Sequence, residues 1–200
     1  GKCPNCTEWN TFVEEVTTQT KHAHKSSHRA STLQTIKLSD VDGDEDVRFR
    51  TGIAEFDRVL GGGIVGGSVI LLGGDPGIGK STMMMQVALM LKDKTVLYVT
   101  GEESPKQVKL RAERLEVKSD SVQLLAETNL EQIIEVIEQG NPDLVIIDSI
   151  QTLFHPNLES APGSVGQVRE STARLTRLAK TKHVPIILIG HVTKEGTLAG

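Results

Sequence analysis

From position 48 onward, short aliphatic runs alternate with longer stretches that have helical spacing. The runs predict strands at 68–72, 95–99, 122–125, 144–147 and 186–189. The stretches between them predict helices at 80–91, after Ser104, at 128–140 and at 166–181. Because each strand is apolar throughout and strands alternate with helices, the pattern predicts an α/β fold with a mostly parallel sheet covered on both faces.

Two of these helices begin at residues that favour a helix start. Ser104 is followed by Pro105 at the first helical position and by Gln107, which together predict a capping box. Thr128, three residues before Glu131, predicts a second capping box.

The distribution of residue types divides the chain into three segments. Residues 1–16 contain both cysteines, 17–47 are polar and lack a steady period, and 48–200 carry the strand and helix pattern. We interpret 17–47 as a flexible linker and its histidines at 22, 24 and 28 as part of a solvated tract. The chain starts with Gly1 and ends just after an apparent strand, so we expect a piece of a longer protein.

Composition excludes some classes of protein and leaves others open. Hydrophobic residues make up 38% and aromatic ones 3%, so aliphatic side chains must fill the core. A net charge of -4 gives no overall support for nucleic-acid binding, although a local basic surface would suffice. Cys3 and Cys6 have the spacing of metal ligands rather than of a disulfide framework, and no leader or membrane span is present, which favours the cytoplasm.

A glycine-rich loop joins the first predicted strand to the helix that follows it. Its sequence matches G-x-x-x-x-G-K-[ST], and the residues expected to bind a nucleotide are Gly74, Asp75, Pro76, Gly77, Ile78, Gly79, Lys80, Ser81 and Thr82. Glycines let successive backbone N–H groups converge on phosphate oxygens. We expect Lys80 to reach the β- and γ-phosphates of ATP and the Ser81 hydroxyl to coordinate Mg²⁺.

Acidic residues follow two other predicted strands. Asp148 comes directly after four aliphatic residues, and we expect it to hold Mg²⁺ through its water shell. Glu102 and Glu103 follow the strand at 95–99, where a carboxylate can face the γ-phosphate and act as general base. Glu102 is the preferred base because it comes first after the turn, with Glu103 as the alternative.

A histidine follows the last predicted strand. Sitting at the same edge of the sheet, His191 is our candidate for a side chain that senses the γ-phosphate and passes its loss to the next loop. The alternative is a histidine that only bonds to nearby backbone.

Several motifs together resemble the RecA-like ATPases, and among them a family of bacterial DNA-repair proteins. They are CPNCTEWNT, LGGGIVGGSVILLGGDPGIGKST, LYVTGEESPKQVKLRAERL, LVIIDSIQT, PGSVGQVRE and IILIGHVTKEGTLAG. The phosphate loop is generic, whereas GEES with QVKLRAERL, and GHVTKEG, are much more specific. The resemblance implies a RecA-like P-loop core at 48–200, preceded by the remnant of a zinc ribbon at 1–16 and the linker at 17–47.

The resemblance also implies a function. Members of the family use ATP hydrolysis to process recombination intermediates and extend branch migration on single-stranded DNA, as a homo-oligomeric ring working with a RecA-type recombinase. They bind a structural Zn²⁺ through four cysteines, of which Cys3 and Cys6 match the second pair. The family's lysine-asparagine-arginine-phenylalanine-glycine signature, which follows GHVTKEG, is absent from this sequence.

Candidate DNA contacts come from two loops and a helix. In RecA-like cores the loops after the fourth and last strands named above, those followed by Asp148 and His191, face the central channel; here they are roughly 152–167 and 192–200. Lys194 is the clearest basic residue in the second loop, and Arg169 lies on the helix between the loops. A solvated helix face is the favoured interpretation of the helical arginines and lysines.

Two other functions remain compatible with the phosphate loop. One is a small-molecule kinase, although no arginine-rich lid is evident and the position of Glu102 favours attack by water. The other is a non-catalytic assembly platform whose nucleotide state controls partner binding.

Overall fold

The computed structural model describes residues 35, 37–40, 48–116 and 120–192. The chain divides into two compact units, Gly1–Asp42 and Gly43–Gly200. In the first unit the described residues include a short 3-10 helix, Leu38–Asp40. The second unit contains the sheet, the phosphate loop and every other element described below. The segment 1–16 and most of the predicted linker lie outside the described residues.

A five-stranded parallel sheet forms the centre of the second unit. Its strands are β1 Val69–Gly74, β2 Val96–Thr100, β3 Val122–Ala126, β4 Leu144–Asp148 and β5 Ile186–His191. Their order across the sheet is β1-β5-β4-β2-β3, and every pairing is parallel. The predicted α/β fold with a RecA-like P-loop core is confirmed.

Five helices surround the strands. They are α1 Ala54–Val59, α2 Lys80–Met90, α3 Pro105–Glu113, α4 Leu130–Gly140 and α5 Val165–Lys182. A 3-10 turn, Ile150–Thr152, follows β4. Three of these helices, α2, α4 and α5, were predicted within two residues of both observed ends, and the start of α3 was predicted as well. The helix α1 was not recognised because its six residues are too few to show a clear period.

Two apolar clusters cover the two faces of the sheet. Successive strand residues alternate between them: Leu97 and Val99 lie in the cluster with α4 and α5, while Val96 and Tyr98 lie in the cluster with α2 and α3. Strand side chains point alternately to opposite faces. Strands buried on both faces therefore need apolar residues at nearly every position, which is the continuous aliphatic pattern of the sequence.

The starts of α3 and α4 test the two predicted capping boxes. At α3, the Ser104 hydroxyl accepts from the Gln107 N–H and the Gln107 side chain accepts from the Ser104 N–H at 2.9 Å, as predicted. At α4 the prediction of Thr128 as the cap is wrong, because Asn129 accepts from the Glu131 N–H at 3.0 Å. The Glu127 carboxylate accepts from the N–H of Thr128 and of Asn129, which places the helix start one residue later.

The strand register brings the predicted site residues to one edge. Gly74 at the end of β1 is level with His191 on β5, and Asp148 at the end of β4 is level with Thr100 on β2. Because β5 and β4 separate β1 from β2, His191 and Asp148 stand between the phosphate loop and the residues that follow Thr100. The ligand edge of the sheet is therefore formed by four adjacent strand ends.

Candidate nucleotide-binding site

The phosphate loop (residues 74–82) is an open cradle between β1 and α2. Gly77 and Gly79 have positive φ angles of 80° and 103°, and a Cβ at either position would have no heavy atom within 4 Å. Residues 75–79 are exposed. A glycine-rich turn that leads into the N-terminus of an eleven-residue helix fits a phosphate group, because both the turn and the helix end direct N–H groups outward.

Lys80 crosses the loop from the first residue of α2. Its side chain is buried, and its Nζ donates to the carbonyl oxygens of Gly74 at 2.7 Å and Asp75 at 2.8 Å. Nζ also lies 3.3 Å from Nδ1 of His191. The ammonium is thus held at the start of the loop, where it can attract a phosphate chain.

Asp148 ends β4 and is buried, with one carboxylate oxygen engaged from inside the core. The hydroxyl of Tyr98 donates to Oδ2 of Asp148 at 2.6 Å. Burial, followed by the charge of Asp148, raises the pKa of Tyr98, so the phenol stays a donor. Ser81 lies in the first turn of α2 and is partly buried. Ser81 and Asp148 supply the hydroxyl and carboxylate oxygens that suit Mg²⁺.

Glu102 and Glu103 have different surroundings although they are adjacent in sequence. Oε1 of Glu102 accepts from the Ser149 hydroxyl at 2.8 Å and lies 3.3 Å from Nε2 of His191. Glu103 instead pairs with the guanidinium of Arg111 on α3. Its amide also donates to the Thr100 hydroxyl at 3.1 Å, which fixes the turn. Glu102 faces the ligand edge, and Glu103 belongs to the base of α3.

His191 lies between the loop and Glu102. An ammonium can only donate, so Nδ1 of His191 accepts from Lys80, and in a neutral ring Nε2 then carries the hydrogen and faces Glu102. The backbone is held as well, because the side-chain amide of Gln151 donates to the His191 carbonyl at 3.1 Å. The structure therefore brings Lys80, His191 and Glu102 into one chain of contacts.

Three residues of this site were not predicted from the sequence: Tyr98, Arg111 and Ser149. A signal for Tyr98 was available, because a tyrosine hydroxyl in a buried aliphatic strand must find a partner. Arg111 is eleven positions from Thr100, and only the packing of α3 brings it 3.7 Å from Oδ2 of Asp148. Ser149 directly follows Asp148, and the presence of a serine at this position did not predict its hydrogen bond to Glu102.

The proposed DNA and zinc residues are only partly within the described structure. Arg169 is exposed on α5, but Lys194, Cys3 and Cys6 lie outside the described residues. Arg174, also on α5, pairs with Glu131 at 2.6 Å and with Glu170 at 2.8 Å. This pairing lowers the pKa of Glu170 and raises that of Arg174. Within 35–192, excluding the gaps given above, no cluster of three or more metal-ligating side chains occurs.

None of the helices in the described ranges combines the length and the apolar character that a membrane span requires.

Comparisons with known proteins agree with this geometry. A family model described as an AAA domain matches residues 32–197. The protein named DNA repair protein RadA is 50% identical over 202 residues in Listeria monocytogenes, 49% over 205 in Bacillus subtilis and 52% over 201 in Streptococcus pyogenes serotype M1. Each alignment covers 100% of this chain but only 44%, 45% and 44% of the relative, respectively.

The chain thus spans less than half the length of the curated relatives it matches. The resemblance drawn from the motifs is confirmed by matches that run through the whole chain. The chain belongs to the AAA domain family and is a relative of the bacterial DNA repair protein RadA.

Proposed function

We propose that this chain is the ATP-hydrolysing core of a DNA-stimulated motor of recombinational repair. One observation carries the proposal: Lys80, His191, Glu102, Ser149 and Asp148 are joined at the ends of adjacent strands by side-chain contacts or by chain continuity. A phosphate cradle alone would bind a nucleotide. A cradle with a free carboxylate held beside it can also activate water.

Each residue has a role that follows from its position. The amides of the phosphate loop and Lys80 would hold the phosphates of ATP, while Ser81 and Asp148 would hold Mg²⁺ through its coordination shell. When bound, Mg²⁺ neutralises charge that develops on the phosphate oxygens.

Glu102 is the residue that we propose as general base. Its side chain is 49% exposed, and the contacts that hold its Oε1 leave Oε2 able to accept a proton from an attacking water. Glu103 is the weaker candidate, since its carboxylate is occupied by Arg111. A carboxylate beside a guanidinium is a poorer base, because the positive charge favours its ionised form.

His191 is the residue that we propose as sensor of the γ-phosphate. It contacts Lys80 on one side and Glu102 on the other, so a change in the position of Lys80 alters the ring's acceptor bond. Val192 follows the strand end directly, and the predicted loop 192–200 otherwise lies outside the described residues. A nucleotide-dependent change at His191 would therefore reach that loop through the backbone.

The loop after β4 is our proposed route to DNA. Gln167 is buried, donates to the Ser160 carbonyl at 2.8 Å and accepts from the His155 N–H at 2.8 Å, so it ties the loop to α5. Residues 156–162 remain exposed. With Arg169 a few residues later on α5, and Lys194 in the predicted loop 192–200, we propose that single-stranded DNA and branched intermediates bind at these two loops in a homo-oligomeric ring.

The names of the relatives support a role in DNA repair, and the finer features are proposals for the complete protein. These are promotion of branch migration, cooperation with a RecA-type recombinase, and a structural Zn²⁺ site to which Cys3 and Cys6 contribute two ligands. We place this activity in the cytoplasm.

The experiment is to measure ATP hydrolysis by the full-length protein with and without single-stranded DNA. We expect DNA to raise turnover and the DNA affinity to fall steeply with salt. Lys80→Ala should lower turnover by about 100-fold or more, because it removes the ammonium group that we expect to stabilise the negative charge of the phosphates. Lys92→Ala, which changes an exposed lysine beyond the end of α2, is the matched control and should keep wild-type turnover.

Other outcomes would point to the other functions. Transfer of phosphate to a metabolite, with little free phosphate released, would indicate a kinase. Repair function that survives in Lys80→Ala would contradict every ATP-driven version of the proposal. If the protein hydrolyses ATP but no DNA raises its turnover, the proposal of a DNA-stimulated motor would be wrong, whereas the proposal of an ATPase would stand.

A further inference from the structure

The Asp148 carboxylate contacts a buried tyrosine hydroxyl that the proposed reaction does not use directly. Tyr98 lies on β2, its side chain is fully buried, and its hydroxyl reaches Oδ2 of Asp148 across the neighbouring strand at 2.6 Å. Tyr98 is level with Ile146 on β4, so the ring lies two positions before the strand end that carries Asp148. The hydroxyl therefore approaches the carboxylate from within the apolar core rather than from the ligand edge.

Arg111 approaches the same oxygen from α3. Its Nη1 lies 3.7 Å from Oδ2 of Asp148, while its Nη2 pairs with Glu103. The two oxygens of Asp148 are thus unequal. Within the described ranges, Oδ2 has a hydroxyl and a guanidinium beside it, and Oδ1 accepts no hydrogen bond.

We propose that Tyr98 is a positioning residue for the magnesium site, acting through Asp148 and supported by Arg111. The inference rests on the proposed role of Asp148 in holding Mg²⁺. The χ2 torsion of an aspartate is broad and twofold, so an unsupported carboxylate turns easily. A hydrogen bond to Oδ2 fixes that rotation and leaves Oδ1 as the free oxygen for a metal-bound water.

The choice of tyrosine has a physical reason. A neutral hydroxyl holds the carboxylate without cancelling its charge, and its aromatic body packs in the apolar cluster with α2 and α3. A charged donor in that position would have to be buried in the same apolar cluster, at a large cost. Arg111 supplies positive charge at the cluster's border, where its side chain is 14% exposed.

The test uses Tyr98→Phe in the full-length protein, because this change removes the hydroxyl and keeps the ring. We expect the Mg²⁺ concentration for half-maximal ATP hydrolysis to rise by about 10–100-fold, the usual effect of losing a group that supports a metal ligand. Nucleotide binding measured without Mg²⁺ should stay as in the wild type. An unchanged Mg²⁺ requirement would overturn the inference.

Two further variants make the result specific. Ile187→Val removes one methylene from the same apolar cluster without touching Asp148, and it should keep the wild-type Mg²⁺ requirement. An equal rise in Ile187→Val would show a merely structural effect and overturn the inference. The variant Asp148→Asn separates the two proposals. If Asp148→Asn hydrolyses ATP with normal Mg²⁺ dependence, the proposed metal role of Asp148 fails. If Asp148→Asn is inactive while Tyr98→Phe has a normal Mg²⁺ dependence, only the proposed role of Tyr98 fails.

A spectroscopic measurement needs no active variant. Tyr98 is the one tyrosine of this sequence, so this chain labelled with ¹³C at the tyrosine Cζ carries a single tyrosine signal, which belongs to Tyr98 without the use of any variant. We expect Mg²⁺ together with a nucleotide to shift this signal relative to the nucleotide alone. A signal that Mg²⁺ does not move would overturn the inference even if Tyr98→Phe fails to fold.

Discussion

The phosphate loop is built from one continuous run of residues, whereas the acidic residues beside it come from two strand ends. The loop needs only β1 before it and α2 after it to present its amides. Glu102, Glu103 and Asp148, here called the carboxylate cluster, depend on the pairing of β2 with β4 and on α3, which brings Arg111. The proposed nucleotide-binding loop is thus encoded locally, whereas the proposed activation of water depends on the packed core.

The difference also concerns exposure. Residues 75–79 of the loop are exposed, while Asp148, Ser149 and Tyr98 are buried. An exposed loop can adapt to its ligand, but buried polar groups must be paired before a ligand arrives. We therefore expect substitutions in the carboxylate cluster to alter ATP hydrolysis. Substitutions of the buried residues that pack behind the cluster should alter folding stability as well.

The largest expected effect comes from Glu102→Gln. The amide cannot accept the proton of water, so hydrolysis should fall by about 10²–10⁴-fold while ATP binding persists. Steady-state phosphate release and equilibrium binding of a fluorescent ATP analogue measure the two properties separately. A variant that loses binding together with hydrolysis would break the division between loop and cluster.

Its matched control is Glu103→Gln, one residue later in the chain. Since Glu103 pairs with Arg111, this change should cause a much smaller loss of hydrolysis than Glu102→Gln. If Glu103→Gln were the more damaging change, the assignment of the base would have to be reversed.

A smaller effect is expected from Gly101→Ala, which tests the packing behind the cluster. A Cβ at Gly101 would lie 2.6 Å from the Cβ of Thr152, in the turn that follows β4. Overpacking of this kind destabilises a protein by about 1–3 kcal/mol, and here it would also displace Glu102. Urea denaturation measures the first effect, and ATP turnover measures the second.

Gly140→Ala is the matched control for that change. Gly140 ends α4, and a Cβ there would have no heavy atom within 4 Å. Alanine should therefore leave the free energy of unfolding unchanged or raise it slightly by restricting the unfolded chain. Equal destabilisation by both variants would show that the close approach of Gly101 to Thr152 is unimportant.

The smallest expected effect is that of Ser104→Ala at the start of α3. The change removes the hydroxyl that accepts from the Gln107 N–H and should lower the free energy of unfolding by about 1 kcal/mol. Because α3 carries Arg111, a second consequence is a modest change in hydrolysis with ATP binding intact. Thermal denaturation and turnover would be compared with Lys106→Ala, which alters an exposed residue of the same helix turn.

Much of the fold was predictable because its signals are local. Continuous aliphatic runs and the Ser104 cap identified all five strands and the start of α3 to within two residues. The cap of α4 was misassigned because Thr128 and Asn129 are both good cap residues. The contact that decided between them comes from Glu127, whose carboxylate occupies the N–H groups of both.

By itself, the sequence determined the α/β fold, the phosphate loop and the family, because each depends on residues close together in the chain. Only the tertiary structure decided which glutamate is free, and that His191 links Lys80 to Glu102. It also decided that Tyr98 supports Asp148 from inside the core. The contacts of Tyr98 with Asp148 and of His191 with Lys80 and Glu102 join residues 50 to 111 positions apart, and no local sequence pattern encodes such pairings. The pairing of Glu103 rather than Glu102 with Arg111 depends on how α3 packs beside the end of β2.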